Sequence, residues 1–524
     1  MTRIDERVST HVYKVKRISK EEMESIAGVC VYDQPPFCNA ACPLKLDVKA
    51  MLKAAAENDF KKAFKIYESI APFPLILSAG CGAPCEEKCR LCELGDGIAI
   101  GDIERAVALS GGAGEKRSIF RVRKKKKAAV FGSGLFALLL AGELEKKGYP
   151  VTAICGEADE EEYLRVAAGF LREDDFYTEL KRLRGKDIAF EFNAEMTREL
   201  FEEKRGGFDV LCASEKAALD IFPGAVRDEG IMLMESEGLL TGGGETVLEA
   251  ALGARKAALT ADRLAQGIDP RSARGEEGPV TSRLYTNPDL ARGLIRIKGC
   301  ESGYTREQAA EEAGRCMQCH CDECLRGCAY LRRFNKHPGL LSREIYNNTQ
   351  IIMGDHPLNR AMNACALCGQ CTVTCPHGFD MAHVCRTARE NMVDTDKMPL
   401  AAHEFALLDM LFSNGEAYLC RKQPGHSHCR YVFFPGCQAA AIAPEAVIAA
   451  YEDLCTRLKG GVALMLGCCG AIAHWAGRGE MYGEVRDKIA AELAALEDPV
   501  IIAGCPSCMK LLSEQDMAET VGIW

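Results

Sequence analysis

Cysteines 365, 368, 371 and 375 stand in CALCGQCTVTCP with the spacing C-x2-C-x2-C-x3-C, closed by Pro376. That spacing lets three thiolates converge on one [4Fe–4S] cluster while the fourth reaches to a neighbouring one. Upstream, CMQCHCDECLRGC supplies Cys316, Cys319, Cys321, Cys324 and Cys328, one cysteine more than a regular run needs. Cross-ligation would join Cys328 to Cys365, Cys368 and Cys371. Cys375 would then join three of Cys316, Cys319, Cys321 and Cys324, the spacing leaving open which three. Zinc is the competing chemistry, because C-x2-C pairs also serve zinc. The proline after the fourth cysteine belongs to clusters.

A second group is built around LGCCGAIAHW, where Cys468 and Cys469 are adjacent. Neighbouring cysteines reach disulfide geometry only with strain. They have company: Cys437 stands thirty residues upstream, and Cys505 and Cys508 follow downstream, each group at the end of an apolar run (YVFFPGC, VALMLGC, PVIIAGC). Parallel strands would deliver all five sulfurs to one edge of a sheet, where α/β proteins place ligands. The motif resembles the CCG domain of heterodisulfide reductase catalytic subunits. The resemblance implies a five-cysteine iron–sulfur site, non-cubane in form, acting as a catalytic centre or as a relay. Members with two CCG motifs face two clusters across a substrate, and this chain carries one; a partner chain with a second CCG motif is one implication. A vicinal redox disulfide or a zinc site is the alternative. His474 reads as a packing residue.

At the other end, CVYDQPPFCNAACP, then CGAPCEEKC, then IAIGDIER resemble the N-terminal di-cluster domain of the glutamate synthase small subunit and dihydropyrimidine dehydrogenase. The resemblance covers residues 25–110 and implies two [4Fe–4S] clusters on an all-helical scaffold. It assigns Cys30, Cys38 and Cys89 to one cluster, and Cys42, Cys81 and Cys85 to the other, with Glu104 near the family's non-cysteine ligand. Where the family has a further cysteine this chain has Asp33, so either Asp33 or the nearby Cys92 completes the first cluster, or that cluster is a three-iron one or absent. A carboxylate is a harder ligand than thiolate and less favoured by iron.

These groups need scaffolds. VKAMLKAAAENDFKKAFKIYESI has helical periodicity. AAVFGSG, VTAIC, DIAFEF, FDVLCA and GIMLM read as short strands alternating with helices, the pattern of a parallel α/β layer. Gly132-x-Gly134-x-x-Ala137 after the first strand fits a dinucleotide fingerprint, its helix N-terminus meeting a pyrophosphate. The acidic residue expected after the second strand is replaced by Cys155, with Glu157 two further on. GLLTGGGETVLEAALGARKAALTADRLAQG resembles the closing segment of the same flavoprotein family, with Gly242 and Gly243 in the flavin turn and Gly244 where that family has aspartate. No second Gly-rich loop stands between 160 and 235, so the resemblance implies an FAD domain without its NAD(P)H domain, or a vestigial Rossmann layer.

The chain has 524 residues, a net charge of −10 and 28 cysteines, with no apolar run long enough to span a bilayer. That balance argues against nucleic-acid and membrane-surface partners. MTRIDERVSTHVYKVKRISKEEMES has no apolar core of a secretory signal, so a cytoplasmic protein is expected. Clustered cysteines in a long chain without a signal point to metal rather than disulfides. Seven lie in 30–92, nine in 316–375 and five in 437–508; the rest (Cys155, Cys212, Cys300, Cys385, Cys420, Cys429, Cys455) read as small core residues.

The expected architecture is multidomain, α/β plus α. A helical di-cluster domain spans 1–120 and a Rossmann-like FAD domain 121–270. A helical ferredoxin-like domain with two clusters spans 271–390, opening on the polar linker DPRSARGEEGPVTSR, and a CCG domain 391–524. The function that fits is an iron–sulfur flavoprotein subunit of an anaerobic oxidoreductase complex, with a dehydrogenase, a ferredoxin or a second CCG chain as partner. A heterodisulfide reductase-like enzyme and a zinc scaffold are the competing readings.

Overall fold

The computed structural model describes residues 19–111, 123–272, 274–299, 303–399, 401–514 and 517–524. Cys300, one linker residue (Ala273) and most of the stretch read for a signal lie outside them. Among the described residues are 25 α-helices and two mixed sheets. The chain divides into two compact units: residues 33–321, and residues up to 32 together with 322–524.

The 33–321 unit couples a helical block to an α/β layer. Helix Val48–Ala56 starts where the Asp47 side chain accepts the Ala50 N–H, and it buries Val48, Met51, Leu52 and Ala55. Helix Phe60–Glu68, capped by Asp59, buries Phe60, Ala63, Phe64 and Tyr67, an i, i+3, i+4, i+7 stripe. Strands β1 (Ala128–Phe131), β2 (Val151–Ile154), β3 (Ile188–Glu191), β4 (Val210–Ser214), β5 (Leu233–Met234) and β6 (Leu239–Gly242) form a sheet in the order β3-β2-β1-β4-β6-β5. All pairs are parallel except β5 with β6. Strand β1 is buried along its whole length, as a strand covered on both faces must be. The five apolar runs read from the sequence each contribute a strand.

In the other unit, strands β7 (Leu419–Arg421), β8 (Tyr431–Phe434), β9 (Val462–Leu466), β10 (Val500–Ala503) and β11 (Thr520–Gly522) take the order β11-β10-β8-β9-β7. β10, β8 and β9 are adjacent and parallel, so the three runs that end on cysteine finish side by side. Its helical part packs Lys20–Ala27, Pro338–Gln350 and Met381–Asp394 around a core containing Leu331, Leu341, Met362, Cys371 and Cys385. Among the described residues no helix is long and apolar enough to cross a membrane.

Candidate iron–sulfur sites

In the 33–321 unit the cysteines fall into two groups. Cys42, Cys81 and Cys85 gather near Glu104, and each thiol is raised by its burial first, with Glu104 adding to the effect. Glu104 is itself buried on helix Ile100–Ser110; burial, then Glu86, pushes its carboxyl up to about 8, with the nearby Tyr67 hydroxyl working the other way. A donor set this reluctant to ionise alone fits a cationic centre, whose charge would hold the thiolates and carboxylate deprotonated.

The second group departs from the expected grouping. The Cys38 thiol is raised by burial and then by Cys316, Cys319 and Cys89, which stand close enough for their charges to be felt. The four line one apolar cavity with Phe37 and Ile100. Neither residue weighed as the completing ligand lies there: Asp33 is exposed, and exposed Cys92 directs its Sγ to the Glu86 carbonyl at 3.5 Å. Cys30 belongs to the other unit, where it packs beside Gly339 and the core that holds Cys324 and Cys371.

In the ferredoxin-like run, Cys371 is buried and Cys328 lies near enough to raise its thiol, after burial. Cys365 is half-buried and Cys368 exposed. Cys324 is buried and Cys375 packs on the same core, while Cys321 is the last residue of the 33–321 unit. Cys385, read as a plain core residue, stands beside Cys365; its thiol foremost, against burial, lowers the Cys365 thiol to about 7. The Tyr330 hydroxyl is 3.6 Å from the Cys385 sulfur. Sequence missed a second member of this group as well. Arg389 is fully buried and donates to the carbonyls of Met362, Cys365 and Trp475. Cys385 and Arg389, four apart on one helix face, were the available signal.

At the CCG motif the thiols stand close enough to influence one another in series, Cys437 with Cys468, Cys468 with Cys469, and Cys469 with Cys508. Cys505 completes the group from the end of β10. Gly436 has φ +86°, and a Cβ there would stand 3.1 Å from Cys505 Cβ and 3.4 Å from Cys508 Sγ, so glycine lets the end of β8 pass against that of β10. Asn414 brackets Cys468, accepting its N–H at 2.9 Å and donating to its carbonyl at 3.1 Å. His474 packs on Tyr482 and Arg386, as a structural histidine would. A cleft of about 490 Å³ opens beside these loops, lined by Cys368, Arg386, His474, Trp475, Ser507 and Lys510.

At the Gly-rich turn, Gly132 and Gly134 have φ +84° and +98°, and nothing stands within 4 Å of a Cβ at Gly134. Ala137 is buried in the helix that follows. The Glu157 Oε2 is buried with no hydrogen-bond partner. At the second turn, Phe136 and Met232 crowd Gly242, and Glu215 crowds Gly243.

Three segments match iron–sulfur or cysteine-rich family models. Residues 7–112 match dihydropyrimidine dehydrogenase domain II, 4Fe-4S cluster; residues 315–380 match the 4Fe-4S dicluster domain; residues 431–513 match the cysteine-rich CCG domain. The chain is therefore a multi-module iron–sulfur protein. Among its relatives is the NADPH-Fe(3+) oxidoreductase subunit beta of Geobacter sulfurreducens, 28% identical over 230 residues, 41% of this chain and 33% of the relative. The NADP(+)-dependent formate dehydrogenase subunit beta of Moorella thermoacetica is 28% identical over 159 residues, 26% of this chain and 21% of the relative. The glutamate synthase [NADPH] small chain of Azospirillum brasilense is 29% identical over 146 residues, 26% of this chain and 29% of the relative. The chain thus spans about a third or less of the length of these relatives.

Proposed function

We propose that this chain is the electron-transfer subunit of an oxidoreductase complex, carrying [4Fe–4S] clusters in its N-terminal and ferredoxin-like blocks and a further cluster in the CCG domain. The observation that carries this reading is the convergence of cysteines into separate groups whose members all lie in segments matched by iron–sulfur or cysteine-rich models. Relatives named as oxidoreductase subunits support the same class. Clusters supply one-electron chemistry over a wide range of potential. The chain's own residues set that potential by burial, by donors such as Cys385 beside Cys365, and by charges such as Arg389. Exposed Cys368 makes the ferredoxin-like block the natural edge for exchange with a partner dehydrogenase, ferredoxin or second CCG chain.

A flavin nucleotide belongs to this proposal. The open space over Gly134 and the unpaired Glu157 oxygen support a pyrophosphate and a ribose at the first turn. FAD supplies the exchange between hydride and single-electron carriers when bound. At the Gly242–Gly243 turn a Cβ would meet Phe136, Met232 and Glu215, so the close packing there calls for glycine at both positions.

The cleft beside the CCG loops favours a second reading, a reductase acting on a small disulfide there. The two separate on one preparation. Anaerobically purified chain is assayed for iron, sulfide and flavin, then, reduced with dithionite, for heterodisulfide turnover. Iron near sixteen or more per chain without turnover supports the relay. Turnover by the chain alone supports the reductase, and less than one iron per chain sinks both in favour of a zinc scaffold.

A further inference from the structure

We propose that Cys316 and Cys319 complete a four-thiolate [4Fe–4S] site with Cys38 and Cys89, taking the places that the family resemblance gives to Cys30 and residue 33. This deepens the iron–sulfur reading above and rests on it. The four cysteines line one cavity with largely apolar walls, Phe37, Leu52, Ile98 and Ile100 among them, the setting in which a buried cluster is shielded from water. The replacement pair has the spacing of the pair it replaces: C-x2-C is what the resembling family carries at positions 30 and 33, and C-x2-C stands at 316–319.

The unit is built to hold that pair in place. Gln318, between the two cysteines, takes φ +50° and donates to Cys316 Sγ at 3.4 Å and to the Lys49 carbonyl at 3.3 Å. Lys49 returns the contact, donating its Nζ to the Cys319 carbonyl at 2.9 Å. Just upstream, Glu312 is fully buried; it accepts the Ala99 and Ile297 N–H groups and pairs with Arg315 at 2.5 Å. Arg315 in turn donates to the Asp96 and Gly293 carbonyls. A buried ion pair with its remaining hydrogen bonds satisfied fixes register rather than adding stability. Here it fixes helix Arg306–Gly314, and so Cys316, against the 96–100 loop that also lines the cavity.

The assignment accounts for two irregularities. It explains the surplus cysteine in CMQCHCDECLRGC, whose first two members serve another site. It also leaves Cys30 to the core that holds Cys324 and Cys375. There a regular run would place its first cysteine at 318, where this chain has glutamine.

Additivity of iron loss tests this on the full chain. Iron and labile sulfide are counted in anaerobic wild type, C38A, the double variant C316A/C319A, their triple combination, and C30A with and without C38A. The expected result is a loss of about four irons in C38A, in the double variant and in the triple alike, because one cluster carries all three sulfurs. C30A and C38A should add. A triple variant that loses about eight irons, or C30A that adds nothing to C38A, overturns the assignment. Because alanine variants can fail to fold, apo wild type is also bridged with dibromobimane and mapped by mass spectrometry. Links from Cys316 or Cys319 to Cys38 or Cys89 support the site, and links only to Cys324 or Cys375 refute it. Wild type without iron would instead defeat the broader reading, so the two failures are distinguishable.

Discussion

Arg389→Met should loosen the ferredoxin-like loop and the CCG helix together. The wild-type guanidinium donates twice to the Met362 carbonyl, at 2.9 and 2.6 Å, and at 2.5 Å to each of the Cys365 and Trp475 carbonyls. Two of these acceptors end helix Asn359–Ala364 and the third ends Ala471–Trp475, so one cation satisfies orphan carbonyls at two helix C-termini. Each carbonyl left unpaired costs about 1–3 kcal/mol. Relief from burying a charge offsets part of this, leaving a net loss of about 3–5 kcal/mol, as for one broken partner of a buried network. Local opening should then rise by roughly two to three and a half orders of magnitude. A chain with several modules has no single unfolding free energy, so amide hydrogen exchange at 359–366 and 471–477 is the assay. Iron release to a chelator gives a second readout. Arg389→Lys should recover part of the loss, since one ammonium cannot reproduce the fork that reaches three acceptors. Wild-type exchange and iron retention in Arg389→Met, or full recovery by lysine, would refute the reasoning.

Asn414→Ala removes both hydrogen bonds to the Cys468 backbone and should cost about 1–3 kcal/mol, read as faster iron loss from the CCG domain while the other sites keep theirs. Cys385→Ala should leave the iron count unchanged and shift one cluster potential negative in an EPR-monitored titration, because the thiol beside the Cys365 ligand is gone; loss of iron would show Cys385 to be a ligand itself. Asp262 has its carboxyl below the ordinary value: burial opposes this, and hydrogen bonds from Lys124 and Tyr149 outweigh it. A depressed folded pKa contributes stability that is present above the unfolded value near 3.9 and lost as pH falls through the folded one. Asp262→Asn should therefore destabilise the 33–321 unit by about 1 kcal/mol at pH 7 and converge on wild type in acid, as followed by amide hydrogen exchange around Lys124, Tyr149 and residue 262.

Local pattern carried the scaffold. YVFF, VALML and VIIA are uniform apolar runs too short for helices, each closed by glycine or proline before cysteine, and they form β8, β9 and β10. The helices of the N-terminal block likewise follow from capping aspartates and 3.6-residue stripes. The partners of Cys316 and Cys319 were hidden for a different reason. A thiolate's ligand set depends on which loops meet in space, and nothing in CMQCHCDEC says that its first pair meets Cys38. Arg389 was hidden because charge on a helix usually marks a solvated face, and the acceptors that bury it come from segments 24 and 86 residues away in sequence.

The surplus cysteine carries a clue that spacing alone leaves open. Counted as a ferredoxin-like run, 316–328 has five cysteines where four suffice, and the excess invites a choice of three among four. Counted with the N-terminal block, the same excess meets a deficit, since residue 33 is an exposed aspartate and Cys92 turns its sulfur to a carbonyl. The 33–321 unit then has eight donors in two buried groups, seven thiols and Glu104. A long insertion between ligands costs little, because closure entropy grows only with the logarithm of loop length and the intervening α/β layer is itself folded. An iron–sulfur block whose last two ligands lie beyond a sheet forms only after that sheet has folded, so cluster loading would report on the folding of the whole unit.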